Sequence, residues 1–142
     1  MKILISACLL GLPTRYDGGN SFNSGVAGLA ARHDLVPVCP EQLGGLPTPR
    51  EACELCGDRV MDRLGCDRTR EFHLGAEAAL KVFEMTGCQA AILKSRSPSC
   101  GSGPIYDGSF SGVLVNRPGT LAERLQALGI PVHHEDEIDK LE

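Results

Sequence analysis

Strands and helices alternate along this sequence, which predicts an α/β fold: a single-domain parallel sheet with helices on both faces, Rossmann-like or flavodoxin-like. Three observations carry that prediction. Short apolar runs such as Lys2-Ile3-Leu4-Ile5-Ser6-Ala7 have the unbroken hydrophobicity of strands covered on both sides. Between them, apolar residues recur at helical spacing. The helical stretches stop at glycines. A chain of 142 residues has the length of one domain, residues 1–142, and is long enough to bury a core unaided.

Lys2 to Ala7 is the first strand. Ile5-Ser6-Ala7-Cys8 superficially resembles a lipoprotein cleavage site, but the run before it is far shorter than the apolar core of a signal peptide. A Gly- and Asn-rich loop follows, from Leu9 to about Asn23. Ser24 then caps a helix to His33 with Val26, Leu29 and Ala30 inward, weakened by Gly25 and Gly28. Leu35-Val36-Pro37-Val38 is the second strand, and its proline suits an edge or an early position. From Cys39 to Asp58, Pro40, Gly44, Gly45, Pro47 and Pro49 predict a loop. Arg59 to Arg63 reads as a short strand. The best-marked helix runs from about Arg70 to Thr86, capped by Thr69, with Phe72, Ala76, Ala79, Leu80 and Phe83 on one face and Gly87 as stop. Ala90-Ala91-Ile92-Leu93 is the next strand, and a second long loop reaches Asn116. Thr120 and Glu123 form a capping box for the last helix, with Leu121, Leu125 and Leu128 inward and Gly129 as stop. Ile130-Pro131-Val132 closes as a strand, and the acidic tail after about His134 is expected to fray.

Composition narrows the function. The chain is 42% hydrophobic and 23% charged, with a formal charge of −4. That balance argues against a broad nucleic-acid face, which needs clustered Lys and Arg, and leaves a small molecule or a single nucleotide as partner. No apolar stretch is long enough to span a bilayer. Seven cysteines, an odd number, point away from a disulfide framework and toward a reducing cytoplasm with thiols kept for metal or catalysis.

Three of those cysteines share one kind of position. Cys8 and Cys39 end the first and second strands, and Cys100 lies in the loop after the strand ending at Leu93. Ligands of open α/β sheets bind outside the carboxyl ends of the strands, so the fold brings these thiols to one rim. Three thiolates in a loop-walled pocket suit an iron–sulfur cluster or a zinc ion; the plain alternative is three small buried hydrophobes. The flanks favour ligation. Ser95-Arg96-Ser97-Pro98-Ser99-Cys100-Gly101 is rich in hydroxyls and can aim amide N–H groups at an anion, and Glu41, two residues from Cys39, can serve as a general acid or base. Cys53-Glu54-Leu55-Cys56 looks like half a zinc site or a redox pair but lacks a second ligand pair at finger spacing; with Cys66 nearby, it is read as incidental. Cys88 is read as packing. His33, His73, His133 and His134 receive no role, and no Ser-His-Asp, G-x-G-x-x-G or Walker pattern is present. A weak internal echo links Tyr16-Asp17-Gly18 and Ser24-Gly25-Val26 after Cys8 with Tyr106-Asp107-Gly108 and Ser111-Gly112-Val113 after Cys100. It reflects either ordinary turn chemistry or two loops facing one site.

Ser6-Ala7-Cys8-Leu9-Leu10-Gly11, Arg15-Tyr16-Asp17-Gly18, Cys39-Pro40-Glu41, Gly44-Gly45-Leu46-Pro47-Thr48-Pro49-Arg50, Lys94-Ser95-Arg96-Ser97-Pro98-Ser99-Cys100-Gly101 and Ile105-Tyr106-Asp107-Gly108 together resemble the TudS-like thiouracil desulfurase family, a small bacterial domain formerly of unknown function. The resemblance spans nearly the whole chain. It implies a [4Fe–4S] cluster held by Cys8, Cys39 and Cys100 with one iron free of protein ligands, oxygen-labile enough to be lost or replaced in air. It further implies non-redox desulfuration of thiouracil to uracil and hydrosulfide, on a thiolated nucleobase or nucleoside. A glutamate and a serine are implied as catalytic: Glu41 matches the first, and Ser97 is chosen for the second, with Ser99 close behind. Ser99, Arg15, Arg50 and Arg96 are candidates for orienting the substrate. The competing readings are a non-catalytic Zn- or nucleotide-binding α/β module and, last, a thiol redox protein built on Cys53 and Cys56.

Overall fold

The structure, a computed structural model, describes residues 1–141. In chain order its elements are β1 (Lys2–Ser6), α1 (Ser24–Gly28), β2 (Asp34–Val38), α2 (Pro40–Leu43), β3 (Cys53–Cys56), β4 (Arg59–Asp62), α3 (Thr69–Thr86), β5 (Ala90–Ile92), β6 (Ile105–Tyr106), β7 (Leu114–Val115), α4 (Thr120–Ala127) and β8 (Val132–His133). The main sheet is parallel, in the order β2-β1-β5-β8. Counting parallel strands alone, this is a 2-1-3-4 order of the flavodoxin-like kind, with its topological switch beside β1. Pro37 lies in the edge strand β2, where its missing N–H costs no ladder bond.

The strand alternation decides the layers. Leu4 and Ala91 turn to one face, where Ala76, Ala79 and Phe83 of α3 and Leu121 and Leu125 of α4 cover them. Ile3, Ile5 and Ile92 turn to the other, against Val26 and Leu29. Helices therefore flank the sheet on both sides, as expected.

Several local expectations fail for tertiary reasons. Ala30 is exposed, because α1 gives way to a 3-10 turn over Leu29–Ala31, and Asn23 rather than Ser24 caps it, accepting from Val26 N–H at 3.0 Å. Thr69 does not cap α3; it lies inside the helix, its hydroxyl accepting from Val60 N–H at 2.9 Å. The capping box of α4 is absent. Thr120 is the first helical residue, and the N–H groups of Thr120 and Leu121 donate instead to the carbonyls of Pro98 (3.0 Å) and Ser99 (2.8 Å). Leu128, beyond the helix, is exposed. Both long loops contain hairpins, β3–β4 and β6–β7, and α2 interrupts the first loop. As far as Leu141 the acidic tail is folded against the domain. It forms 3-10 turns over Glu135–Leu141, with Ile138 and Leu141 against the core.

One close approach couples α2 to α3. A Cβ on Gly75 would lie 1.8 Å from Pro40 O, and one on Gly44 would lie 1.9 Å from Glu71 O. Only paired glycines let these backbones touch, and the contact seats α2 directly behind Cys39. No helix among the described residues is long and apolar enough to cross a membrane.

Candidate active site

At the carboxyl edge of the sheet, three chain reversals meet. Cys8 sits in the 3-10 turn Ala7–Leu10 that follows β1. Cys39 is the extended residue between β2 and α2, where Pro40 opens the helix. Cys100 lies in the loop after β5, fastened by its neighbours' carbonyls to the N-terminus of α4. All three line one cavity of about 560 Å³, and so do Glu41, Ser97, Ser99, Arg15, Arg50 and Arg96. The structure thus brings every candidate site residue to one place.

Electrostatics shows that the thiols feel one another. Burial pushes the Cys8 thiol up and Cys39 adds to the rise, against a Ser21 hydrogen bond and the charges of Lys94 and Arg15. Burial also raises Cys39, while N–H groups of Gln42 and Glu41 at the start of α2 pull it down. Cys100 is pushed up to about 12, by burial first and then by Cys39 and Cys8, with Ser6 and Ser99 hydrogen bonding in the opposite sense. Three neutral thiols crowded this way gain from a cationic soft metal, which displaces their protons. Among the described residues, no three His, Cys, Asp or Glu side chains converge on a point that one ion could fill. Around a lone zinc, with Zn–S near 2.3 Å, the sulfurs would lie within about 4 Å of each other, whereas a four-iron core takes each thiolate on a separate iron. The three-thiol donor set at one cavity fits such a cluster.

Beside the thiols runs a chain of hydrogen bonds. Ser99 Oγ donates to Glu41 Oε2 at 3.0 Å, and Ser97 Oγ lies 3.1 Å from Ser99 Oγ. Ser97 Oγ also accepts from Cys100 N–H at 3.1 Å, so its own proton is free for Ser99. Arg50 Nε pairs with Glu41 Oε1 at 3.0 Å, and both side chains are nearly buried. The remaining N–H groups of Arg50 reach Pro47 O, Thr48 Oγ1, Thr14 O and, at 4.0 Å, Cys39 Sγ. All five of its donors are engaged, so Arg50 acts on the site through Glu41 and Cys39. Arg15 is held by Asp17 and Ser21 and lies over the Tyr16 ring at 5.6 Å. Arg96, in a left-handed conformation (φ +64°), is exposed at the rim.

Sequence reading missed other wall residues: Ser6, Tyr16, Arg63, Lys94, Tyr106 and Phe110. Lys94 and the tyrosines lie in stretches the sequence marks as unusual, whereas Phe110 carries no local signal. The internal echo proves partly geometric. Asp17 and Asp107 each accept from the N–H two residues on, at 2.9 Å, with Gly18 and Gly108 both left-handed (φ +82° and +97°). Tyr16 and Tyr106 both face the cavity. The echo ends there, since Val26 is core and Val113 is exposed. Of the cysteines set aside, Cys56 and Cys66 are exposed and Cys88 is packed in the core. Cys53 lines the cavity wall, its thiol pushed up to about 12 by burial and by Glu41 and Asp62.

Comparison with known proteins agrees with this geometry. The sequence model of the 2-thiouracil desulfurase family matches residues 3–137. An uncharacterized protein of Bacillus subtilis (strain 168), YbbK, is 36% identical over 149 residues, which cover 98% of this chain and 99% of that protein. Among solved structures, the [4Fe-4S]-dependent thiouracil desulfidase TudS superposes with a TM-score of 0.92 at 44% identity, covering 99% of this chain and 94% of the other.

Proposed function

This chain belongs to the 2-thiouracil desulfurase family, and from that premise we propose that it converts thiouracil to uracil and hydrosulfide, with Cys8, Cys39 and Cys100 holding a [4Fe–4S] cluster. The observation that carries the proposal is that these three thiols share a cavity with the hydrogen-bonded Glu41–Ser99 pair. When bound, the cluster supplies an iron without a protein ligand, a Lewis acid with affinity for soft sulfur.

The chain's own residues do the rest. Overall, water adds its oxygen to the ring carbon as sulfur leaves with two electrons, so no redox partner is needed. Glu41 takes a proton from that water and returns it to the departing sulfide, while Ser99, which donates to Oε2 and accepts from Ser97, holds the carboxylate in place. Arg50 fixes the Glu41 carboxylate from the opposite side. Arg15 and Arg96, at the cavity wall, orient the carbonyl of a thiolated nucleobase or nucleoside. No disulfide joins any of the seven cysteines, which supports residence in a reducing cytoplasm.

Anaerobic purification tests the reading. About four irons and four sulfides per chain are expected, with conversion of 2-thiouracil to uracil followed by chromatography. Glu41→Gln should keep the iron and lower turnover by about 10²–10⁴-fold. Stoichiometric zinc without iron overturns the proposal in favour of a metal-stabilised module.

A further inference from the structure

The Cys53-Glu54-Leu55-Cys56 stretch contributes something other than its cysteines. Glu54 Oε1 accepts two backbone hydrogen bonds, from Gly108 N–H at 3.0 Å and from Phe110 N–H at 3.1 Å. One carboxylate on β3 therefore holds the turn joining β6 and β7. The turn is pressed onto that strand: a Cβ on Gly108 would lie 2.6 Å from Leu55 O. At its far side Phe110 takes φ +56°, a left-handed conformation that residues with a side chain rarely adopt. Backbone strain of this kind persists where the surroundings impose it, and it clusters at ligand sites.

The ring of Phe110 does not serve core packing. It belongs to none of the three hydrophobic clusters among the described residues. It is half-buried and lines the site cavity with Tyr16 and Tyr106. A strained aromatic ring at the cavity wall, outside the hydrophobic clusters, suits a partner with a flat, apolar face, and a pyrimidine has one.

We propose that Phe110 stacks on the pyrimidine ring of the substrate, and that Glu54 is the positioning residue that fixes the Asp107–Phe110 turn to present it. The identity of the ring rests on the thiouracil reading, but neither Phe110 nor Glu54 takes part in the proton transfers proposed for it. Discrimination follows: planar heterocycles gain from the contact, and it is indifferent to where the sulfur is attached.

The test uses the iron-loaded protein. Phe110→Ala should raise KM for 2-thiouracil by about tenfold, in line with base–aromatic stacking, while kcat and the cluster absorption stay within about twofold of the parent. Affinity for uracil, measured by calorimetry and needing no turnover, should fall by the same factor. Phe110→Leu, which keeps apolar bulk without an aromatic face, should behave like alanine, and Phe110→Tyr like the parent. Glu54→Ala should raise KM to a similar extent, Glu54→Gln should recover it by supplying an amide oxygen, and the double alanine variant should be no worse than either single one. Unchanged KM and uracil affinity in Phe110→Ala overturn the stacking role, and multiplying effects of the two alanine changes overturn the role of Glu54. If the parent protein binds uracil but leaves 2-thiouracil intact, the proposed reaction falls, and uracil calorimetry still decides Phe110.

Discussion

Replacing Gly75 with alanine sets two opposed effects against each other. In the middle of an exposed helix, Gly→Ala is stabilising by about 1 kcal/mol. Here the new Cβ would lie 1.8 Å from Pro40 O, whereas carbon and carbonyl oxygen normally stay about 3.3 Å apart. The backbones of α2 and α3 must therefore separate by about 1.5 Å, or α3 must tilt. Overpacking of that kind costs about 1–3 kcal/mol and occasionally more, and the tight Gly44 contact beside it blocks easy relief. We expect a net loss of about 2 kcal/mol, seen in urea denaturation, and a fall in Tm of about 8 °C at about 4 °C per kcal/mol for a chain of this size. The displacement falls on Pro40, between Cys39 and Glu41, so turnover should drop by up to about 10²-fold, the cost of a misplacement near 1 Å. Gly28 provides the control. It is helical (φ −62°) with nothing within 4 Å of a Cβ, so Gly28→Ala should stabilise by about 0.5–1 kcal/mol. Should the two variants prove equally stable, the close approach of α2 and α3 would be wrong.

Two further outcomes test the site's support and its ligands. Burial pushes the Glu135 carboxyl up, but hydrogen bonds from Lys94 Nζ and Ser95 N–H outweigh it and hold the group below its ordinary 4.5. Its stabilisation is therefore complete well above pH 4.5 and is lost as pH falls through the lowered folded value; Glu135→Gln should cost about 1–3 kcal/mol at pH 7, with the gap closing as pH falls below 4.5. A gap of constant size across that range would refute the pairing. Alanine at Cys8, Cys39 or Cys100 should each abolish brown colour and turnover, whereas Cys53→Ala, Cys56→Ala and Cys66→Ala keep the iron, as read by absorption and iron content.

The parts of this protein legible in its sequence are those set by near neighbours. Unbroken apolar runs mark β1 and β5, and the spacing of Phe72, Ala76, Ala79 and Phe83 marks α3, because pleat and helix repeat every two residues or every 3.6. Strand ends follow from strands, so Cys8, Cys39 and Cys100 could be assigned to one rim before any coordinates. Glu41 could be named from its neighbour Cys39, and it proved to hydrogen-bond Ser99, 58 residues away.

What tertiary structure alone decided depends on groups distant along the chain. β6 and β7 are two residues long, too short to show a period, yet their turn supplies Phe110. The capping box of α4 failed because carbonyls of Pro98 and Ser99 already occupy the helix's free N–H groups. As far as Leu141 the acidic tail is held because Glu135 meets Lys94 and Ser95 about 40 residues upstream, and the Arg50 donors are all engaged because the fold brings Glu41, Pro47, Thr48, Thr14 and Cys39 around them. Sequence by itself determined where the four main-sheet strands and α1, α3 and α4 lie, since those choices are made within a few residues. Which backbone groups, charges and rings then share a cavity was decided by packing, because a hydrogen bond or a contact acts only over the few ångströms that folding closes.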